Sequence, residues 1–157
     1  LLEKIDDTKS IQVLKAFTMD DKAQKHNFSC DENVFICIIV NVNQIIPALY
    51  GYLSISEENG NIVLVSISND NIEDDVFTKI SIGKNSIKIK IPIRTLGHGK
   101  YNVSLGLASS QSIGGFNVDS PGKIAVFELS DEGTNRGNNR DGHFSTILDW
   151  KIIWTLR

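Results

Sequence analysis

The chain has 157 residues, 16 Lys and Arg against 19 Asp and Glu, and 41% hydrophobic residues. That is about the size of one domain with a proper core, and no apolar run approaches the roughly 20 residues that cross a bilayer. A net charge of −3 with no basic stripe excludes nucleic acid as the main partner and leaves neutral or polar ligands open. No signal-peptide pattern is legible at the start. Leu1 stands where Met would open a complete chain, and Leu1–Ser10 is charged and short. We read residues 1–10 as a linker remnant and residues 11–157 as a single domain.

From Ile11 the apolar residues alternate. Ile11, Val13, Phe17 and Met19 mark a first strand, and Asp20–Lys25 a polar turn. Val34, Ile36, Ile38, Val40 and Val42 form an aliphatic, β-branched row, while the intervening row begins Phe35, Cys37, Ile39 and ends Asn41, Asn43. This predicts a central strand covered on both faces at one end. Leu49, Gly51, Leu53 and Ile55 form the inner row of the next strand, with Tyr50, Tyr52, Ser54 and Ser56 outside. Glu58-Asn59-Gly60-Asn61 predicts an Asn-Gly hairpin returning through Ile62–Ile67.

After the acidic stretch Ser68–Asp75 comes the most regular part of the chain. Ile87, Ile89, Ile91 and Ile93 alternate with polar residues, as do Tyr101, Val103, Leu105 and Leu107. Gly97-His98-Gly99 between them predicts a reversal and a hairpin. Gly115–Asp119 reads as a short segment, Pro121-Gly122 as a turn and Lys123–Leu129 as a strand. Ser130–Gly142 contains no apolar residue and is the longest loop. The chain closes on Ile147–Leu156, with Leu148, Trp150, Ile152, Trp154 and Leu156 on one face. About nine short strands with turn signals between them predict an all-β antiparallel sandwich. The polar outer rows favour that architecture over a closed barrel.

The order of these pieces resembles the C-terminal carbohydrate-binding domain of Wzt-type ATP-binding proteins. The residues that carry the likeness are Leu96–Leu105 (Leu-x-x-Gly-Lys-Tyr-x-Val-x-Leu), Asp119, Ala125–Leu129 and Asp149-Trp150. Tyr50–Ser56 and Ile62–Ile67 around Glu58-Asn59-Gly60 also fit, so the likeness spans roughly residues 11–156. The resemblance implies an immunoglobulin-like or jelly-roll sandwich that binds a finished bacterial glycan such as an O-antigen, at times through a modified chain terminus. It also implies fusion behind the ATP-binding domain of a polysaccharide-exporting ABC transporter, on the cytoplasmic side of the inner membrane. A homodimer made by exchange of the last strand belongs to the same expectation. No Gly-x-x-x-x-Gly-Lys-Ser/Thr occurs, so the ATPase lies outside this chain. The long Ser130–Gly142 loop departs from the family pattern.

The residues support sugar binding on their own terms. Sugars stack C–H faces on aromatic rings and present hydroxyls that need donors and acceptors. Tyr50, Tyr52, Asn41, Asn43 and Ser104 supply that mixture if they share one face. Gly106 and Ala108 would leave room for the ligand, and cross-strand packing of the tyrosines is the competing role. Other chemistry is weaker. His26, His98 and His143 lack ligand spacing with Cys30 and Cys37, and we expect free thiols, no metal and no cofactor. Asp70, Glu73, Asp74 and Asp75 lack the turn glycine of a calcium loop, and the acids and Asn135 around Ser130–Gly142 read as a solvated loop. Glu128 and Asp149 are the one candidate carboxylate pair, and no nucleophile motif is present, so binding is expected rather than catalysis. A structural or adhesive sandwich acting through protein contacts is the alternative.

Overall fold

The computed structural model describes residues 4–153. Its strands are β1 (Ile11–Met19), β2 (Asn27–Ser29), β3 (Val34–Val42), β4 (Leu49–Glu57), β5 (Ile62–Ile67), β6 (Gly83–Ile91), β7 (Gly99–Ser109) and β8 (Phe116–Ser130). A three-stranded sheet in the order β1-β3-β6 packs on a five-stranded sheet in the order β2-β8-β7-β4-β5. The fold is the expected all-β sandwich, antiparallel except where β2 runs parallel to β8. The core lies between the inner rows: Val34, Ile36, Ile38 and Val40 from one sheet, Leu53, Ile55, Val103 and Leu107 from the other. These side chains are within 4% of full burial, as period-two alternation requires.

The first strand departs from simple alternation. A bulge between Val13 and Lys15 shifts the register, so Ile11 and Val13 face the core while Phe17 and Met19 fall on the outer face beside Cys37 and Phe35. Ala16 and Thr18 take the inward positions instead, and the buried Thr18 hydroxyl donates to the Lys25 carbonyl at 2.6 Å. One extra residue in a strand inverts every side chain after it.

The expected hairpin at Gly97-His98-Gly99 is not formed. β6 pairs with β3 and β7 pairs with β4 and β8, so the intervening segment crosses from one sheet to the other. Leu96 plugs the crossing at 1% exposure. The Tyr101 hydroxyl donates to the Gly97 carbonyl at 2.8 Å, fixing the corner much as tyrosine corners do in immunoglobulin-like sandwiches. Burial, and then the Glu57 charge, push that phenol up to about 12, so it remains a donor throughout the neutral range.

Two further differences concern turns. Pro121-Gly122 does not divide two strands but sits inside β8, where the pairing with β7 is irregular and Gly122 takes a φ of 72°. Proline has no N–H to give a ladder and is tolerated at such a bulge. The β4–β5 hairpin occurs where expected, but only Gly60 has positive φ (89°). The Gly60 N–H donates to Glu57 O and the Glu57 N–H to Asn61 O, a longer turn than the two-residue Asn-Gly type.

The loop after β8 is anchored by charge. Arg94, 8% exposed, meets Asp31 through two bonds of 2.8 and 2.9 Å, and its Nη1 lies 3.1 Å from Asp131 Oδ2. Arg94 has a φ of 59°, a left-handed conformation that a non-glycine residue holds only when its surroundings dictate it. The Arg94 and Leu96 carbonyls then accept from the hydroxyls of Thr146 and Ser145. Beyond Thr146 the described chain, residues 147–153, forms no strand: Leu148, Trp150 and Ile152 are 69%, 90% and 88% exposed. The expected last strand is therefore unpaired up to Ile153, and Trp154 and Leu156 lie outside the described residues.

Candidate functional site

The outer face of the five-stranded sheet carries the candidate site. Alternation sends Tyr50, Tyr52, Ser54 and Ser56 of β4 outward, since Leu49, Leu53 and Ile55 are buried. On the neighbouring strand Lys100, Asn102, Ser104, Gly106 and Ala108 project the same way. Pairing sets Tyr50 opposite Ala108, Tyr52 opposite Gly106 and Ser54 opposite Ser104. A large ring facing a glycine or alanine leaves a trough one side chain deep. Tyr52 is 41% exposed, and its ring borders that trough. Gly51, between the two tyrosines, lies over the Phe77 ring, where a Cβ would come within 2.9 Å.

Of the five residues singled out in the sequence, Tyr50, Tyr52 and Ser104 are brought together. Asn41 and Asn43 are not. They belong to the end of β3 in the other sheet, where Asn41 Nδ2 donates to Asn43 Oδ1 at 3.0 Å. Asn43 Nδ2 in turn donates to the Lys9 carbonyl at 2.8 Å. Those amides hold each other and the Asp6 and Lys9 carbonyls and are already used by the protein. Sequence alternation alone does not say which of two sheets a strand joins, and that is what misplaced them.

The structure adds a cleft that the sequence did not reveal. At the β2 end of the same face a depression of about 260 Å³ is lined by Asn27, Glu58, Lys100, Asn102, Lys123 and Glu128, with Val126 beside them. It adjoins a second depression of about 350 Å³ beside Glu57 and Asn59. Lys100 lies opposite Glu128, and Glu128 opposite Asn27, across β7, β8 and β2. The parallel β2–β8 pairing joins residues about 100 apart in sequence, which leaves no local signal. The alternation of Lys100, Asn102 and Ser104 was the one clue.

Elsewhere the titratable groups serve the fold. Asp75 and Asn71 cap one-turn 3-10 helices by accepting from Phe77 N–H and Glu73 N–H, and Asp74 pairs with Lys79. Among the described residues no group of three or more His, Cys, Asp or Glu side chains is arranged to hold a metal. Cys30 and Cys37 are buried and free, and burial pushes both thiols up, away from reactivity. The carboxylates of the candidate catalytic pair are not on one element: Glu128 is on β8 and Asp149 on the exposed tail, 2.8 Å from Lys151. No helix among the described residues is long and apolar enough to cross a membrane.

Fold and face together define a two-sheet β-sandwich whose surface relief lies on the outer face of the five-stranded sheet. In structure the chain is similar to the C-terminal domain of Wzt, with a TM-score of 0.59 and 12% identity over 100% of this chain and 99% of that one. A beta-glucuronidase of Bifidobacterium dentium, complexed with coumarin-3-O-glucuronide, is a more distant neighbour. That match has a TM-score of 0.40 and 14% identity, covering 78% of this chain and 18% of the enzyme. The first likeness establishes the fold; the second is too partial to carry an argument. No protein-family model and no curated protein sequence matches the chain.

Proposed function

We propose that this chain is a non-catalytic carbohydrate-binding domain that recognises a bacterial polysaccharide of the O-antigen kind through the outer face of its five-stranded sheet. The observation that carries this reading is the register of Tyr50 and Tyr52 against Ala108 and Gly106, on a fold shared end to end with the Wzt C-terminal domain. The domain would couple recognition of the glycan to its export by an ABC transporter. Its partners would then be the ATP-binding and membrane subunits, on the cytoplasmic side of the inner membrane. Removing both rings in Tyr50→Ala/Tyr52→Ala is expected to weaken binding of polysaccharide from the source cell by about tenfold or more, since one stacked ring contributes on the order of 1 kcal/mol. An unchanged affinity in a folded double variant would refute the assignment of the face.

The same reading includes a homodimer in which the last strand, about Ile147–Leu156, is exchanged between the two copies. Its support is the exposed apolar row Leu148, Trp150, Ile152 and an apolar groove of about 190 Å³ at the open side of the sandwich. Leu53, Phe77, Ile87 and Ile89 line that groove, between the two sheet edges formed by β5 and β6. The exposed tail is also the observation that favours the second reading, a structural or adhesive module working through protein contacts. Glycan binding separates the two.

Metal independence is a further expectation. Asp70 and Asp75 accept from backbone N–H groups and Asp74 pairs with Lys79, and these acids with Glu73 form no cluster arranged to hold a metal among the described residues. Binding should be the same in EDTA and in millimolar Ca²⁺; loss in EDTA that Ca²⁺ restores would contradict this.

A further inference from the structure

We propose that the cleft at the β2–β8 end of the face is a second sugar subsite, and that it takes uncharged hexose units of the same glycan chain. The inference rests on the glycan-binding reading of this face. It makes the site an extended one, about four rings long, rather than a pocket for a single end group.

Three observations lead there. The first is that the cleft's polar groups are unspent. The side chains of Asn27, Glu58, Lys100, Asn102, Lys123 and Glu128 line it, yet none of them makes a hydrogen bond or ion pair to another described side chain. Lys100 and Glu128 stand directly across a strand pair without closing one. A neighbouring polar group is used: Glu57 holds His143 at 2.9 Å.

The second observation is the mixture of chemistry. Carboxylates only accept, ammonium groups only donate, and asparagines do both. A sugar hydroxyl does both as well, so a vicinal diol can donate to a carboxylate while accepting from an adjacent ammonium. Val126, 44% exposed in the lining, offers an apolar contact for the C–H face of a ring. Charge argues against an anionic ligand. Two unspent carboxylates, Glu58 and Glu128, stand among two ammonium groups, Lys100 and Lys123, and the bordering Glu57 is held by His143, so no net positive charge is left for an anion. A uronate or phosphate would gain from the lysines and lose to the glutamates.

The third is continuity. From the Tyr52–Gly106 pair to the Lys100–Glu128 pair is six residues along β7, about 20 Å at the usual strand rise, room for about four sugar rings in line. The rungs between them, Ser54–Ser104 and Ser56–Asn102, carry small or amide side chains that leave the trough open.

A glycan array bearing neutral hexose oligomers of one to six units, with uronate and phosphorylated counterparts, tests this. It would be read with the unaltered chain, with Lys100→Met/Glu128→Gln and with Tyr50→Ala/Tyr52→Ala. The unaltered chain should prefer neutral oligomers and tighten through about four units. The cleft variant should retain binding of mono- and disaccharides and lose about tenfold for tetramers, an effect of a single subsite. Affinity that does not grow beyond two units, a preference for the charged counterparts, or an unaffected cleft variant would each overturn the second subsite. In those three cases the tyrosine variant still reports separately on the first. If the unaltered chain binds no glycan at all, both the subsite and the function it rests on fall together.

Discussion

The 157-residue chain at micromolar concentration is expected to elute as a dimer, at twice the 17.4 kDa protomer mass, and a chain ending at Thr146 as a folded monomer. The physical ground is the contrast between the tail and the core. Core residues end at Leu129, so nothing from residues 147–153 helps fill the sandwich. Yet Leu148, Trp150 and Ile152 are all more than two-thirds exposed. Burying those three against a partner would contribute on the order of 5 kcal/mol, a thousandfold or more in association. The tail leaves from a fixed root, since Ser145 and Thr146 are bonded to the Leu96 and Arg94 carbonyls. Sedimentation of the two chains decides it. A monomeric 157-residue chain would end the proposal; a dimer that survives truncation would place the interface on another surface.

The largest single-residue effect is expected at Arg94. Its guanidinium bridges Asp31 and Asp131, and the Asp131 side chain is only 1% exposed, with Oδ1 left without a hydrogen-bond partner among the described residues. Arg94→Met removes the one buried cation among the described residues and strands a carboxylate in the interior, a change that costs about 3–5 kcal/mol. Arg94→Met/Asp131→Leu should recover a good part of the loss, because the stranded charge goes too. Urea unfolding of the variants checks this, and a loss below about 1 kcal/mol in Arg94→Met would show the cluster to be solvated. The acid limb gives an independent reading. Burial pushes Asp131 up, but the Thr134 hydroxyl and Arg94 more than offset it and hold the carboxyl below its ordinary value of 3.8. A group depressed in the folded state adds stability above its unfolded pKa and loses it as pH falls through the folded one. Stability should therefore drop below about pH 4, and Asp131→Asn should flatten that part of the profile.

Much of the sandwich was legible because one-sided burial writes itself as alternation. The inner rows of β3, β4 and β7 stand where the sequence set them. What alternation does not encode is partnership. β6 and β7 look like two arms of a hairpin, and only tertiary pairing assigns them to different sheets. The bulge after Val13 was hidden for a related reason: Phe17 and Met19 keep the period in sequence while the chain turns them outward. Of the site, the tyrosines facing small residues were visible, since both rows are local. Asn41 and Asn43 were misassigned because their sheet was unknown, and the cleft at Asn27, Lys100 and Glu128 needed a parallel pairing of distant strands.

The central claim is that glycan lies along the outer face of the five-stranded sheet. Its most direct test is an amide chemical-shift titration of the full chain with polysaccharide from the source cell, trimmed to short oligomers. The account predicts saturable shifts at Tyr50, Tyr52, Ser104 and Gly106, continuing to Asn102 and Lys100, with β1, β3 and β6 undisturbed. Shifts confined to the three-stranded sheet, or no shifts at millimolar oligomer, would contradict it.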